Sequence, residues 1–227
     1  MSYICLILSG AALLVNGLGL LGRIPARDSG YFNLLIGGTQ LLLCALLAVA
    51  ANGNSTALLS VSGVFLFGLT YTYVGLDSLR GLGSVGLGWF CGLVAALGLF
   101  YAAASIATNP LLSVLWLSWA GLWTLFFLLL ALGKTGLTAY TGWALILTSQ
   151  VTTTVPAILG LTGTWPTDAP AAIIALVAIA ALFVLAIFLA APAANRAPRT
   201  SAAVPTAVPA SIPAPVPVED SADSLPA

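Results

Sequence analysis

The chain has 227 residues, of which 60% are hydrophobic and 5% charged, with a mean hydropathy of +1.11. Six Lys and Arg balance six Asp and Glu, and there is no histidine. Such a composition excludes a soluble domain and marks an integral membrane protein, and zero net charge argues against nucleic acid as a partner. Seven apolar stretches reach or nearly reach the roughly 20 residues that carry a helix across the bilayer core. They are Tyr3–Leu21, Tyr31–Ala51, Ala57–Leu76, Ser84–Ala107, Leu111–Leu132, Leu137–Leu161 and Ala171–Ala191. The expected fold class is an all-α polytopic helix bundle. Its expected parts are a six-helix domain over 1–165, a seventh transmembrane helix over 166–191, and a Pro/Ala-rich, disordered cytoplasmic tail over 192–227.

The first span lacks a basic n-region and a small-x-small site before Arg23, so it reads as a span rather than a cleaved signal. Arg23 and Arg27 follow span one, Arg80 follows span three, Lys134 span five, and Arg196 and Arg199 span seven. The loops after spans two, four and six carry no Lys or Arg, which puts the N-terminus outside and the C-terminus in the cytoplasm. Spans one and two, three and four, and five and six read as hairpins, with similar turns at Gly22–Arg23, Ser78–Gly81 and Gly133–Lys134. Cys5, Cys44 and Cys91 lie within spans and read as small apolar packing residues, not as disulfide or metal partners. Span seven, rich in Ala, Ile and Leu, reads as an anchor on the outside of the bundle.

No Asp, Glu, Lys, Arg or His falls in the interior of any span. Proton-coupled transport, voltage sensing and retinal attachment all require such groups, and Ser or Thr without a base beside it is inert. The sequence therefore argues against an enzyme and calls for no metal and no cofactor. What the spans do contain is aromatic and neutral. Trp116, Trp119 and Trp123 share one face of span five, and the last two lie too deep for the interfacial belt that suits Trp89, Trp143 and Trp165. Span three presents Phe65, Leu69 and Tyr73 at i, i+4 and i+8, with Thr70 and Thr72 beside them. Asn16, Asn33, Gln40 and Gln150 must find partners in lipid, and Thr148 through Thr154 crowd the middle of span six ahead of Pro156. Aromatic walls with neutral amides and hydroxyls suit a small, planar, uncharged solute such as urea or a short amide, and do not suit an ion.

Four stretches carry a family resemblance. They are Gly10 with Asn16-Gly17, then Asn33 through Gly38, then Phe67-Gly68-Leu69-Thr70-Tyr71-Thr72-Tyr73, and then Trp116 through Trp123 in a W-x-x-W-x-x-x-W pattern. Gly133-Lys134, Trp143 and Pro156 follow. With these the sequence resembles the AmiS/UreI family of bacterial inner-membrane urea and short-chain amide channels, and its amide-transport branch in particular. The resemblance implies a homo-hexamer in which each protomer has its own pore. It also implies a pore lining of Leu6, Leu13, Leu69, Tyr73, Trp116, Trp119, Leu122 and Trp123, with Thr148 where the acid-gated urea channel has a carboxylate. Without histidine, gating by histidine protonation is not expected. The expected function is a passive channel for urea or short aliphatic amides in the bacterial plasma membrane. The alternative is a scaffold whose tail recruits a cytoplasmic amidase or urease.

Overall fold

A computed structural model describes residues 2–194, so most of the expected tail, with Arg196 and Arg199, lies outside the described residues. The elements are α1 (Ser2–Leu20), α2 (Ala26–Ala50), α3 (Ser55–Arg80), α4 (Val85–Ser105) and α5 (Pro110–Phe126), the last extended by a π turn over Phe127–Ala131. After a short 3-10 turn, α6 (Thr138–Ser149) passes through a second π turn, Gln150–Thr154, into α7 (Val155–Leu161), and α8 (Ala169–Ala194) closes the set. Helices α6 and α7 form one span. Seven spans result, all long and apolar enough to cross a membrane, and the described residues contain no strand. This is a multi-pass helical membrane protein.

Local chemistry sets the ends. Asn54 Oδ1 accepts the Ala57 N–H at 2.9 Å to start α3, and Gly81, in the left-handed region, ends it. Asn109 Oδ1 accepts from Leu112 N at 3.1 Å, and Pro110 fills the first position of α5, where no N–H is needed. The π turn at Gln150–Thr154 runs directly into Pro156, which cannot donate to the carbonyl four residues back, so the helix widens where that bond would have been.

The closest helix pairs are not the hairpins expected from the sequence. The most extensive packing joins α2 to α3 and α4 to α5, and α1 lies against α6 rather than mainly against α2. Glycine decides these partners. A methyl at Gly37 of α2 would sit 2.6 Å from Thr72 N of α3, and one at Gly75 would sit 2.8 Å from Gly30 O. A methyl at Gly88 of α4 would sit 2.8 Å from Leu130 C, and one at Gly17 of α1 would sit 2.8 Å from Gly142 O of α6. Bare backbone meets bare backbone at these seams, the arrangement that van der Waals packing favours when lipid is the solvent. Helix α8 packs on α5 and α6 through Ala172, Ile179 and Ala186, a stripe seven residues apart.

Gly37→Leu should therefore lower stability by about 1–3 kcal/mol through overpacking. Gly38→Leu, one residue on, meets nothing within 4 Å and should be tolerated. Thermal unfolding of the two variants in detergent checks the contrast.

Candidate functional site

Helices α1, α3 and α5 run in the same direction and contribute to both of two cavities stacked along the bundle. At the end where α1 begins, a vestibule of about 380 Å³ is lined by Leu6 of α1, Val64 of α3, Tyr101 of α4, and Leu112, Trp116 and Trp119 of α5. Ser105, Thr108 and Asn109 add neutral polar groups, and Tyr3 and Trp165 stand among its walls. The second cavity draws on Leu13, Thr70, Tyr71 and Trp123, together with Asn16, Cys91 and Phe126. Leu6 to Leu13 is seven residues, or about 10 Å of helix. This inner cavity measures about 10 Å³, room for about one water. Among the described residues no charged side chain lines either space.

Between the cavities stands an aromatic stack built around Phe67. Its ring lies 4.5 Å from Trp123, nearly parallel at 17°, and meets Trp119 edge-on at 5.2 Å. Trp116 packs at 5.4 Å from Phe67 and at 5.0 Å from Trp119, and Tyr101 stacks on the outer side of Trp116 at 4.5 Å. Offset and edge-to-face contacts of this kind each contribute about 0.5–1.5 kcal/mol beyond burial. The rings fill the space between the residues that line the two cavities.

Two threonines set the angle of the deep indoles. Trp119 Nε1 donates to Thr152 Oγ1 at 3.2 Å, and Thr152 donates in turn to Thr148 O at 2.9 Å. Trp123 Nε1 donates to Thr70 Oγ1 at 3.2 Å, and Thr70 donates to Leu66 O at 2.9 Å. Each hydroxyl thus serves its own helix and the tryptophan together. Thr152 sits inside the π turn, so the widening ahead of Pro156 sets where the Trp119 partner stands. Both deep indole N–H groups are thus bonded to hydroxyls of the protein itself.

The buried amides are paired as well. Asn16 Nδ2 donates to Asn33 Oδ1 at 3.0 Å, and Asn33 Nδ2 returns a bond to Asn16 Oδ1 at 2.6 Å. Ser29 Oγ also donates to Asn16 Oδ1, at 3.3 Å. Gln40 Nε2 donates to Val64 O at 3.0 Å while its oxygen accepts from Ser9, and Gln150 Nε2 donates to Gly10 O at 3.2 Å. Three buried hydroxyls are left over among the described residues, those of Tyr71, Ser118 and Thr141. The hydroxyl of Tyr71 lies near Ser9 without making a hydrogen bond, and it has no partner among the described residues. Tyr71 is a wall of the inner cavity.

The nine residues expected to line a pore divide. Leu6, Trp116 and Trp119 line the vestibule, and Leu13 and Trp123 line the inner cavity. The other four line neither. Leu69 is 36% exposed on the periphery of α3, along with Phe65. Tyr73 lies against Gly86 at the start of α4. Leu122 is wholly buried among core side chains, and Thr148 is buried with its hydroxyl on Ala144 O of its own helix. The α3 face that meets the site carries Val64, Phe67, Thr70 and Tyr71. In a membrane both faces of a helix are apolar, so the Phe65–Leu69–Tyr73 periodicity did not tell inside from outside. The small and hydroxylic residues Gly63, Gly68 and Thr70 were the available signal. Trp165 is a further correction: it is a vestibule wall with a hydrogen-bond partner, not a belt residue. Nothing in the sequence singled out Tyr101.

The threonine bonds give a paired expectation. Thr152→Val leaves the Trp119 N–H buried without a partner and should cost about 1–3 kcal/mol. Thr148→Val removes only a bond within one helix and should stay within about 0.5 kcal/mol. Denaturation midpoints of the two variants, with Trp fluorescence as the probe, test the difference.

Comparison with known proteins agrees with this architecture. The model of the AmiS/UreI family transporter matches residues 1–164. A protein of Rhodococcus erythropolis named as transporter protein AmiS2 is 45% identical over 196 residues, covering 86% of this chain and 95% of that one. A protein of Mycolicibacterium smegmatis named as an amidate substrates transporter is 36% identical over 203 residues, covering 87% and 95%. Two solved structures of the Helicobacter pylori urea channel, one in a closed state, superpose with TM-scores of 0.67 at 22% and 23% identity. Each covers 73% of this chain and 100% of its own, a likeness of fold. The chain is a member of the AmiS/UreI family of membrane transporters.

Proposed function

We propose that this protein is a passive channel for urea and short aliphatic amides across the bacterial plasma membrane. The observation that carries the reading is the pair of uncharged cavities divided by the Phe67–Trp119–Trp123 stack. An ion entering such a path would lose its hydration with nothing to replace it, a cost far above that of a neutral solute. A planar amide presents flat faces to the rings, and on the vestibule side it finds the neutral polar groups of Ser105, Thr108 and Asn109. The names of the relatives point the same way, one to amidate substrates and the solved structures to urea.

In this reading the vestibule faces outward and the end bearing Arg23, Arg80 and Lys134 faces the cytoplasm. The family resemblance supports one pathway per protomer in a homo-oligomer such as a hexamer. Passage requires Phe67 and the two deep indoles to swing aside. Their stacking energy is modest, and among the described residues no carboxylate, amine or imidazole side chain lines either cavity to make the movement depend on acid.

Stopped-flow light scattering on proteoliposomes tests this, with urea, acetamide and glycerol gradients at about pH 5 and about pH 7.5. Urea or acetamide should cross well above the rate of empty liposomes, with little change between the two pH values. Trp119→Ala should alter the flux, and removal of residues 195–227 should leave it intact. Flux no faster than empty liposomes would sink the channel reading. Loss of function on removing the tail alone would favour the scaffold, and concentrative uptake abolished by an uncoupler would make the protein an active transporter.

A further inference from the structure

The family match ends at residue 164, and the next residue is a wall of the vestibule. Trp165 lies in the link between α7 and α8. Its Nε1 donates to Asn109 Oδ1 at 3.1 Å, and its ring centroid stands 5.9 Å from that of Tyr3. Tyr3, Asn109 and Trp165 all line the vestibule, yet they come from the first turn of α1, the residue before α5, and the α7–α8 link. The indole therefore spans the mouth from the α5 side to the α1 side.

Each support of this bridge is itself fixed. Asn109 Oδ1 also accepts from Leu112 N at 3.1 Å, so the first turn of α5 orients the carboxamide. The Tyr3 ring lies against Gly160 of α7, where a methyl would sit 2.6 Å from Tyr3 Cδ1. The chain just ahead of Trp165 folds back on α7, with Thr164 N on Leu159 O at 2.9 Å and the Thr162 and Thr164 hydroxyls 2.9 Å apart. A tryptophan that only marks the lipid interface needs none of these ties. Trp89, 61% exposed, shows what such a residue looks like in this chain.

We propose that Trp165 is the size-selecting residue at the mouth of the pathway. Clamped between Tyr3 and Asn109, its ring narrows the entrance to a slot that passes flat amides and urea and retards branched ones. The proposal rests on the transport reading above, and it gives the seventh span a task. Helix α8, packed on α5 and α6, holds the far end of the link that carries Trp165.

Proteoliposomes of the full chain, Trp165→Ala and Trp165→Phe are compared for acetamide and for the branched pivalamide. Trp165→Ala should raise the pivalamide-to-acetamide permeability ratio roughly tenfold, the scale of discrimination that a methyl group carries in a shaped pocket. Trp165→Phe, which keeps a ring but loses the bond to Asn109, should raise it less. An unchanged ratio in Trp165→Ala overturns the proposal. A second readout does not need transport. In Ser105→Cys, a vestibule position, a bulky maleimide should react several-fold faster when Trp165→Ala is added, the three native cysteines being buried. The permeability ratio decides wherever the parent conducts. If the parent passes neither solute, the transport reading falls. Labelling then decides alone, a faster rate keeping Trp165 as the cover of the mouth and an equal rate removing it.

Discussion

Hydrocarbon offers no hydrogen bonds, so polar side chains in the middle of this bundle bond to other parts of the chain, the hydroxyls of Tyr71, Ser118 and Thr141 excepted among the described residues. That constraint orders the helices around the site. Asn16 and Asn33 join α1 to α2, and Gln40 joins α2 to Ser9 of α1 and to Val64 of α3. Gln150 ties the sixth span to Gly10 of α1, Trp119 ties α5 to that same span, and Trp123 ties α5 to α3. Followed in order, the bonds run α3, α2, α1, sixth span, α5 and back to α3. They form a closed ring of helices, and three of its members, α1, α3 and α5, wall the two cavities together with α4. Helix α4 joins from the side, through Tyr101 on Ser62 and Ser113 on Ala102 O. Measured interhelical bonds in membranes average about 0.6 kcal/mol, so the ring acts by fixing helix rotation and register more than by adding stability.

Glycine seams and this polar ring divide the work. The seams bring α2 onto α3 and α4 onto α5 closely enough that side chains there have little room, and the larger rings are left to the centre. Phe67 lies one residue before the Gly68 seam, which places its ring toward α5 while the glycine meets α2. The π turn at Gln150–Thr154 belongs to the same arrangement. Without the widening ahead of Pro156, Thr152 would stand at a different angle, and Trp119 would lose the hydroxyl that holds its edge. Each deep indole is thus pinned at one N–H and otherwise held only by stacking.

The spans were legible in the sequence because length and hydropathy suffice for them, and every one was located within a few residues of its helix. Trp116, Trp119 and Trp123 were legible too, since aromatic rings at i, i+3 and i+7 deep in a span have few other uses. The neighbours of each helix were not. Loop length suggests the hairpins of spans one and two, three and four, and five and six, whereas backbone contact at Gly37, Gly75 and Gly88 selects other pairs. Which face of α3 meets the two cavities was not legible, for a reason particular to membranes. Burial in protein and exposure to lipid both favour apolar residues, so Leu69 and Phe67 look alike in sequence while one faces outward and the other seals the site. Thr148, expected at the pore, is buried with its hydroxyl on its own helix, and Thr152 is the threonine that bonds Trp119.

If solutes cross between these cavities as proposed, a path lined this way discriminates in two independent respects. Its uncharged walls reject ions of either sign, because a charge taken from water would meet neither a counter-ion nor a continuous shell of oxygens. Its rings act on shape, since flat faces separate to admit a flat solute at the cost of stacking contacts alone, while a branched solute must also displace the framework that the glycine seams hold close. Charge rejection is spread over the whole lining and survives any single neutral substitution. Shape selection is concentrated in a few rings whose angles depend on Thr70, Thr152 and, at the mouth, Asn109. The two properties are therefore separable by mutation: altering one of those three polar residues should change which neutral solutes pass while leaving the exclusion of ions untouched.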